Sequence, residues 1–577
     1  MCHTFFADPL MYKGLTRLMI KPVQLIRQKL KDPQARRTAI YTLILLCIWG
    51  FFFWHALRTF GPSNNIVIIS YHSDAAIPVM MCNDERPVTV FNLYYYAADR
   101  WGGWPFLFAQ FIRYLTGYRW TDQSLYAMQA FWIFLGALVL AGLSRRDRLP
   151  VMVVYIITLC LHIRIHYHLF SLSQVYAWQL TALLFAWYSL RRFLDSYLEN
   201  QIIRTLAKRD IKKHFVWGFL VLWFSYFAVW SSPASVPFLG FLFGLEALRM
   251  YLNTDGEGER KRFWSGCKWA GGLILAASVI ERLQKMNYHR YGLKRWGHEF
   301  KTDFKLDTGY LTGNLKIHLE SLGKLSWWPL DLLPAVALLA FAAVYLYFAV
   351  RRKKSSLKKL RDLLSRDTTI LIIGCYGIAC LNFVLVVLVD HVRFNLYDDR
   401  FLTLTNLLAP VSAMMILFMT FDLTAKFFKV RQYVRPLLIA AAVIYLKVNF
   451  PVEGYSPLYQ TLKETAFVLN QKAPRGVLMG GYWETYVFTS FQEHDALTPV
   501  PFEGQGYRTP WTPEKLKQAD TVVVEYRHSK LGGTEGPPPA QLQQYGYSMR
   551  LLDPKWYENG DYTFALYLNE TRRSLQP

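Results

Sequence analysis

Runs of mostly apolar residues recur along the whole chain, and they constrain its fold more than any other feature. A helix that crosses a lipid bilayer needs about 20 such residues. The runs lie at 39–57, 124–143, 149–165, 173–190, 214–230, 233–252, 263–282, 328–350, 368–389, 401–421 and 436–450. The sequence therefore predicts a polytopic α-helical membrane protein with about 11 transmembrane helices.

Composition and motifs exclude several other classes of protein. Hydrophobic residues make up 53% of the 577 residues, and charged residues only 18%, against about 25% in soluble proteins. Only Cys82 of the seven cysteines falls in a predicted outer loop, which argues against a disulfide framework. No phosphate-binding loop, dinucleotide fingerprint or hydrolase motif appears, so we expect no nucleotide-driven transport, cofactor or serine-hydrolase chemistry.

Positive charge is concentrated on one side of the predicted spans. About half of the 65 Lys and Arg residues lie in the short loops of one set, which the positive-inside rule assigns to the cytoplasm. The formal charge of +24 therefore does not indicate a nucleic-acid partner. With an odd number of spans, the N-terminus is predicted to be cytoplasmic and the C-terminus to lie on the outer face.

Three regions follow from this topology. Residues 1–38 form a basic cytoplasmic segment, and 39–450 form a membrane domain with long outer loops at 58–123 and 283–327. The segment 104–117 is too short to cross and is predicted to lie at the membrane interface as a helix. Residues 451–577 alternate helix and strand patterns, which predicts a soluble α/β domain on the outer face. The predicted strands lie at 477–480, 521–526, 549–552 and 563–568.

The first outer loop holds the candidate catalytic carboxylate. Asp74 is flanked by apolar residues, and a carboxylate near an apolar membrane surface is costly without a partner or a task. It can serve as a general base or only as a loop or capping residue. Asp84 and Glu85 can bind substrate or form a local ion pair, and Asp99 with Arg100 can line the site or cap the interfacial helix.

A second cluster of ionisable residues fills the short outer turn 390–400. It contains Asp390, His391, Arg393, Asp398, Asp399 and Arg400. Arg400 lies at the start of a span, close to bilayer depth, where a guanidinium suits a phosphate. The alternative is that the arginines only neutralise the aspartates.

Taken together, these features resemble the GT-C superfamily of integral-membrane glycosyltransferases. The resemblance lies in the single span before a large outer loop, the early Asp74, the interfacial helix, the further spans and the outer C-terminal domain. It implies a sugar moved from a polyprenyl-phosphate carrier to a hydroxyl acceptor on a glycan, lipid or protein, with inversion. Asp74 would be the base, with Asp84 as the fallback, and Arg400 with Arg393 would hold the carrier phosphate. No clear metal-ligand set accompanies them.

Two other classes stay open from the sequence. A transporter or flippase of lipid-linked glycans would also be polytopic, although such proteins usually carry repeats and ionisable residues within spans. A glycan polymerase or ligase would use the same carrier. The net basic loop 283–327 can attract anionic membrane lipids or be a plain solvated loop.

The absence of cysteine pairs in the outer loops favours a bacterial inner membrane, with the endoplasmic reticulum as the alternative.

Overall fold

The structure is a computed structural model of the chain. It describes residues 32–59, 73–84, 93–94, 102–144, 147–159, 168–172, 174–199, 207–254, 256–291, 307–324, 332–340, 342–343, 366–389, 399–427, 440, 457–491, 497–503, 512–527, 537–560 and 562–571. The chain divides into two compact units, residues 1–55 and 56–577. The described part of the first unit is the beginning of helix α1, Pro33–Thr59.

The membrane domain of the second unit is built of helices. In chain order these are α2 Ser73–Cys82, α3 Trp104–Thr116, α4 Asp122–Leu143, α5 Arg148–Leu159, α6 Tyr176–Glu199, α7 Ala207–Ser231, α8 Ser235–Leu252, α9 Glu257–Tyr291, α10 Thr308–Lys324, α11 Asp367–Leu388 and α12 Thr403–Phe427. A short 3₁₀ helix, Asp399–Leu402, precedes α12.

Seven described helices are long and apolar enough to cross a membrane. Their spans are Ala39–Arg58, Asp122–Leu143, His214–Ser231, Ser235–Leu252, Glu257–Arg290, Asp367–Leu388 and Arg400–Phe421. Each coincides with one of the runs found in the sequence. Helix α5 covers part of the run 149–165, and α6 covers the run 173–190 from Tyr176 onward. The predicted polytopic α-helical class is confirmed.

Helix α3 has the form expected of an interfacial helix. It begins with Trp104 and Pro105, and proline suits the first turn because its missing N–H would have no helical partner. It ends at Gly117, whose φ of +71° is left-handed and whose N–H donates to the Arg113 carbonyl. One face is buried, while large apolar residues including Phe111 stay exposed. Such a face suits a helix that lies along a membrane surface.

A buried carboxylate ties three helices together inside the bundle. The Glu246 side chain on α8 is fully buried, and it accepts hydrogen bonds from Arg191 at 2.7 Å and Trp187 at 2.6 Å, both on α6. It also pairs with Arg249 at 2.6 Å, and Arg249 reaches Asp195 on α6 at 2.5 Å. Arg191 lies 3.5 Å from Asp367 at the start of α11. Buried charges need such compensation, so the cluster fixes the packing of α6, α8 and α11.

Glycines allow α11 to approach its neighbours closely. A Cβ at Gly374 would lie 2.2 Å from the Trp187 ring on α6. A Cβ at Gly377 would lie 2.1 Å from the Phe241 ring on α8. Two large aromatic side chains therefore occupy the space that any other residue at these positions would need.

The C-terminal domain is a mixed α/β fold. Its elements are α13 Pro457–Lys472, β1 Val477–Gly480, α14 Tyr482–Ser490, β2 Thr498–Pro501, α15 Thr512–Gln518, β3 Thr521–Arg527, β4 Gln541–Gln544, β5 Tyr547–Asn559 and β6 Tyr562–Asn569. The six strands form one sheet in the order β2-β1-β3-β6-β5-β4. Strand β1 is parallel to β2 and β3, and the other pairs are antiparallel.

This domain agrees with the α/β fold expected from its sequence. The predicted strands at 477–480, 521–526, 549–552 and 563–568 all lie within observed strands. The sheet has a buried apolar core that includes Met479, Val524 and Tyr567. The hydroxyls of Tyr526 and Tyr567 lie 2.8 Å apart within it, and burial raises the pKa of both phenols.

We expect Glu246→Ala to destabilise the membrane domain by about 3–5 kcal/mol, because two buried guanidinium groups would lose their carboxylate. Thermal unfolding of the purified chain in detergent measures the change. Glu257→Ala is the control, since Glu257 pairs with Lys261 at 3.3 Å in an exposed position and should contribute less than about 1 kcal/mol. Equal effects of the two substitutions would contradict the structural role of Glu246.

Candidate active site

Helix α2 carries the predicted base, Asp74, in its first turn. The helix begins at Ser73, so Asp74 is its second residue, and negative charge at this end is favoured by the helix dipole. The rest of the helix is enclosed. Its buried residues are Ala75, Ala76, Ile77, Pro78, Val79, Met81 and Cys82. The side chain of Asp74 itself lies outside the described side chains.

Two helices from different parts of the chain enclose α2. On α3, the Gln110 side chain donates to the carbonyl of Met81. On α14 of the C-terminal domain, the Thr489 hydroxyl lies 3.7 Å from the Met80 sulfur. Helix α2, which bears Asp74, therefore packs between α3 and the C-terminal domain.

Side-chain hydrogen bonds fix the far end of α2. Asn83 donates to the Trp120 carbonyl at 2.7 Å and accepts from the Trp120 N–H at 2.9 Å. Arg113 donates to the carbonyls of Asn83 at 2.7 Å and Asp84 at 3.1 Å. With a rise of 1.5 Å per residue, Asp84 lies about 15 Å along the chain from Asp74. The structure therefore places the two candidate bases at opposite ends of α2.

Several contacts hold the segment immediately before α3 in place. Tyr94 pairs with Gly102 in an antiparallel bridge, and the Gly103 N–H donates to the Leu93 carbonyl at 2.9 Å. The Trp230 indole on α7 donates to the same carbonyl at 2.8 Å. A Cβ at Gly102 would lie 2.4 Å from the Trp230 carbonyl oxygen, so only glycine fits there.

A buried carboxylate on α9 also holds this segment, through a hydrogen bond from Tyr94. The Tyr94 hydroxyl donates to Glu281 at 3.1 Å, and both residues are buried. Burial, and then the nearby Glu281 carboxylate, raise the pKa of Tyr94, so the phenol stays a hydrogen-bond donor. The Tyr94 and Tyr288 rings lie 4.8 Å apart. The loop is thus anchored to a span by a charge-assisted hydrogen bond.

Aromatic packing around Trp104 also fixes the start of α3. The Trp104 indole donates to the Ser231 hydroxyl at 2.8 Å and stacks on Phe227 with 4.4 Å between ring centroids. Trp178 and Trp132 contact the edge of the same indole. Trp104 thus lies in a buried aromatic cluster, together with Tyr94, Trp178 and Trp230.

Arg400 lies in the short 3₁₀ helix before α12, as its place at the start of a span predicted. The guanidinium lies over the Phe401 ring at 5.0 Å, and the residue is half-buried. On α11, the Asn382 amide donates to the Phe401 carbonyl at 3.1 Å and to the Thr405 hydroxyl at 3.0 Å. These bonds fix the backbone next to Arg400 against α11.

Helix α10, in the loop 283–327, packs against the last turns of α11. Asn314 donates to the Val387 carbonyl at 3.0 Å. The His318 ring is fully buried and lies 6.3 Å from the Phe383 ring. Burial lowers the pKa of His318, which keeps the imidazole neutral at pH 7. Phe383 also packs in the cluster that contains Phe401, so α10 lies near the Arg400 backbone.

The C-terminal domain makes a second contact with the membrane domain at the start of α4. Thr121 and Ser124 form a capping box there, which gives hydrogen-bond partners to backbone N–H groups that have none within the helix. The Tyr459 hydroxyl on α13 donates to the buried carboxylate of Asp122. The Tyr459 ring also contacts Phe491, just after α14, at 5.3 Å.

The other predicted site residues are Glu85, Asp99, Arg100, His391, Arg393 and Asp398, and they lie outside the residues that the structure describes. Within the described part of the chain, no three His, Cys, Asp or Glu side chains come together as a metal site. Burial raises the pKa of the Cys82 thiol well above its usual range, so this cysteine is a poor nucleophile.

Three buried residues that support the candidate site, Glu281, Asp122 and His318, were not predicted from the sequence. Glu281 had a usable signal, since it is a lone carboxylate at the end of the run 263–282, and ionisable residues in spans generally have a role. Asp122 and His318 had weaker signals, because an aspartate at a helix start and a histidine in a basic loop are both common.

No protein-family model matches the sequence, and no curated protein sequence matches it. The structure is similar to two kinds of solved structure. One is ArnT from Cupriavidus metallidurans bound to undecaprenyl phosphate, with a TM-score of 0.49 and 11% identity over 92% of this chain and 97% of that one. The apo state of ArnT gives a TM-score of 0.46 and 12% identity over 85% and 93%.

The second kind is the archaeal oligosaccharyltransferase AglB from Archaeoglobus fulgidus in complex with an inhibitory peptide and a dolichol-phosphate. Its TM-score is 0.40, with 10% identity over 84% of this chain and 70% of that one. At these identities and TM-scores, roles for individual residues come from the contacts of this chain alone.

We expect Tyr94→Phe to lower stability by about 1–3 kcal/mol, because the buried Glu281 carboxylate would lose a donor. Combining it with Glu281→Gln should give effects that are not additive, with a coupling of about 0.5–3 kcal/mol. Thermal unfolding of the four proteins measures this. Tyr114→Phe is the control, since Tyr114 is 87% exposed on α3. Additive effects would show that the 3.1 Å contact does not couple the two residues.

Proposed function

We propose that the chain is a membrane glycosyltransferase that moves a sugar from a polyprenyl-phosphate carrier to a hydroxyl acceptor. The observation that carries the proposal is the enclosure of α2. Asp74 lies at one end of a buried helix that is fixed by Gln110 of α3 and Thr489 of α14. General-base chemistry needs a carboxylate whose backbone is held in place by rigid surroundings, and the packing of α2 between α3 and α14 supplies such support.

In the proposed reaction, Asp74 takes the proton of the acceptor hydroxyl. The acceptor oxygen attacks the anomeric carbon, and the bond from that carbon to the carrier phosphate oxygen breaks. The configuration is inverted, and the polyprenyl phosphate leaves with its charge neutralised by Arg400 and Arg393, an electrostatic contribution. No nucleotide is needed, because the activated sugar supplies the free energy.

The remaining candidates have supporting roles in this proposal. Asp99 and Arg100, which precede α3 in the sequence, and Glu85, which follows α2, would bind the sugar. Asp84 is assigned to binding rather than to the base, because it lies at the other end of α2. His391 and Asp398 would flank the carrier phosphate near Arg400.

We place the reaction on the outer face of a bacterial inner membrane, with the N-terminus in the cytoplasm and the C-terminus in the periplasm. The charge distribution of the short loops supports this orientation. Partners would be a lipid-linked sugar, membrane lipids and a glycan, lipid or protein acceptor.

Asp74→Asn should abolish most transfer, since a positioned general base contributes about 10²–10⁴-fold. Mass spectrometry of envelope glycolipids and glycoproteins, from cells with the wild-type chain, the variant or no chain, measures the product. Glu257→Gln is the control, since Glu257 is exposed and lies outside the proposed site, and it should transfer as the wild type does. If only the deletion loses the glycan, Asp74 is not the base. If lipid-linked precursor accumulates on the inner side with no missing modification, a transporter is the better interpretation.

Arg400→Ala should reduce transfer by about 10²-fold, because the leaving phosphate would lose a nearby cation. Arg400→Lys should recover part of that loss, since it restores the charge without the planar fork. The same glycan measurement, at equal amounts of folded protein, compares the two. An Arg400→Ala variant with normal transfer would exclude Arg400 from the carrier site.

A further inference from the structure

A cleft of about 890 Å³ opens between the C-terminal domain and the start of span α4. This volume lies in the usual range for sites that bind small molecules. One wall is a face of α13, the other is the end of β5, and Gln123 of α4 contributes from the membrane domain. The lining residues are Gln123, Tyr459, Gln460, Lys463, Glu464, Phe467, Val468, Tyr557, Glu558 and Asn559.

The aromatic walls of the cleft are held in place by contacts behind them. Tyr459 is fixed through its hydroxyl to Asp122. Tyr557 stacks on Phe564 with 5.9 Å between centroids and lies under the Lys472 ammonium at 5.3 Å. Asn559 donates to the Thr465 hydroxyl at 2.8 Å. A preformed wall needs little ordering when a ligand binds.

Phe467 projects into the cleft without being covered. Its side chain is 63% exposed, although it is a large apolar residue on a helix of a folded domain. A ligand with an apolar face that covers this ring would remove the cost of its exposure. Leu458, on the same helix, is also exposed at 49%, but it does not line the cleft.

The polar lining suits hydroxyl groups more than a strong charge. It combines side-chain amides, which both donate and accept, with two carboxylates and a single ammonium. Glu558 is partly neutralised by Lys555 at 3.3 Å. A phosphate-rich head group would need more cations than Lys463 alone. A pyranose fits both parts of the lining, since its C–H face stacks on aromatic rings and its hydroxyls bind amides and carboxylates.

A chain of side-chain contacts links the cleft to α2. Tyr459 in the cleft contacts Phe491, which directly follows α14, and Thr489 of α14 contacts Met80 of α2. Met80 is six residues from Asp74, about 9 Å along a helix. Gln123 is in the first turn of a span, so the floor of the cleft lies at one end of that span.

We propose that this cleft binds an uncharged oligosaccharide and, resting on the proposed function, that this oligosaccharide is part of the acceptor. The aromatic residues stack on the sugar rings, and the side chains of Gln460 and Glu464 on α13 bind hydroxyl groups. The acceptor is then a glycan or glycolipid that is held beside α2 while its free hydroxyl faces Asp74.

The test is direct binding of the full-length chain in lipid nanodiscs to an array of defined neutral and anionic oligosaccharides. We expect neutral glycans to be retained. Phe467→Ala should weaken that binding about tenfold, the scale of a lost aromatic contact at the centre of a site, and Glu464→Gln should also weaken it. Both positions are exposed, so neither substitution should impair folding. Leu458→Ala is the matched control and should bind as the wild type does.

Three results would overturn the proposal. They are the absence of binding to any glycan, binding that Phe467→Ala does not change, and displacement of the glycan by phosphatidylglycerol vesicles, which would indicate a lipid site. Asp74→Asn should keep glycan binding while it loses transfer. Glycan binding that depends on Phe467 in a chain without transferase activity would leave the cleft as a sugar-binding site and reject the proposed function.

Discussion

Packing of α2 between α3 and α14 is the contact on which the arrangement of the candidate site depends. Seven of the ten residues of α2 are buried, and none of the seven has a polar side chain that could form a strong hydrogen bond. The side chains that hold it come from α3 and from the C-terminal domain. The C-terminal domain packs directly against α2 of the membrane domain. It is therefore part of the candidate site.

Much of the fold could be predicted from the sequence because its signals are local. A run of about 20 apolar residues has few alternatives to a span. The missed strands were the two edges of the sheet. Strand β2, Thr498–Pro501, contains two prolines, which are tolerated at an edge, and β4, Gln541–Gln544, has almost no apolar pattern. Helix α14 has nine residues, too few to show a helical period.

The candidate site was less predictable because its frame is made of distant pairs. The position of Asp74 in a helix start has a local signal. Its supports do not, since Tyr94 and Glu281 are 187 residues apart and Tyr459 and Asp122 are 337 apart. Their hydrogen bonds exist only after the spans have packed, and a single sequence does not show which buried carboxylate will meet which phenol.

The bridge between Tyr94 and Gly102 has a consequence for how such a chain can diverge. The bridge brings Tyr94 and Gly102 to one place, and that place is fastened to α7 and α9 by Trp230 and Glu281. These residues constrain one another, because a change in any one of them removes or obstructs the contact of its partner. Sequence change at the start of α3 is thus tied to change in α7 and α9, two helices far from it in the sequence.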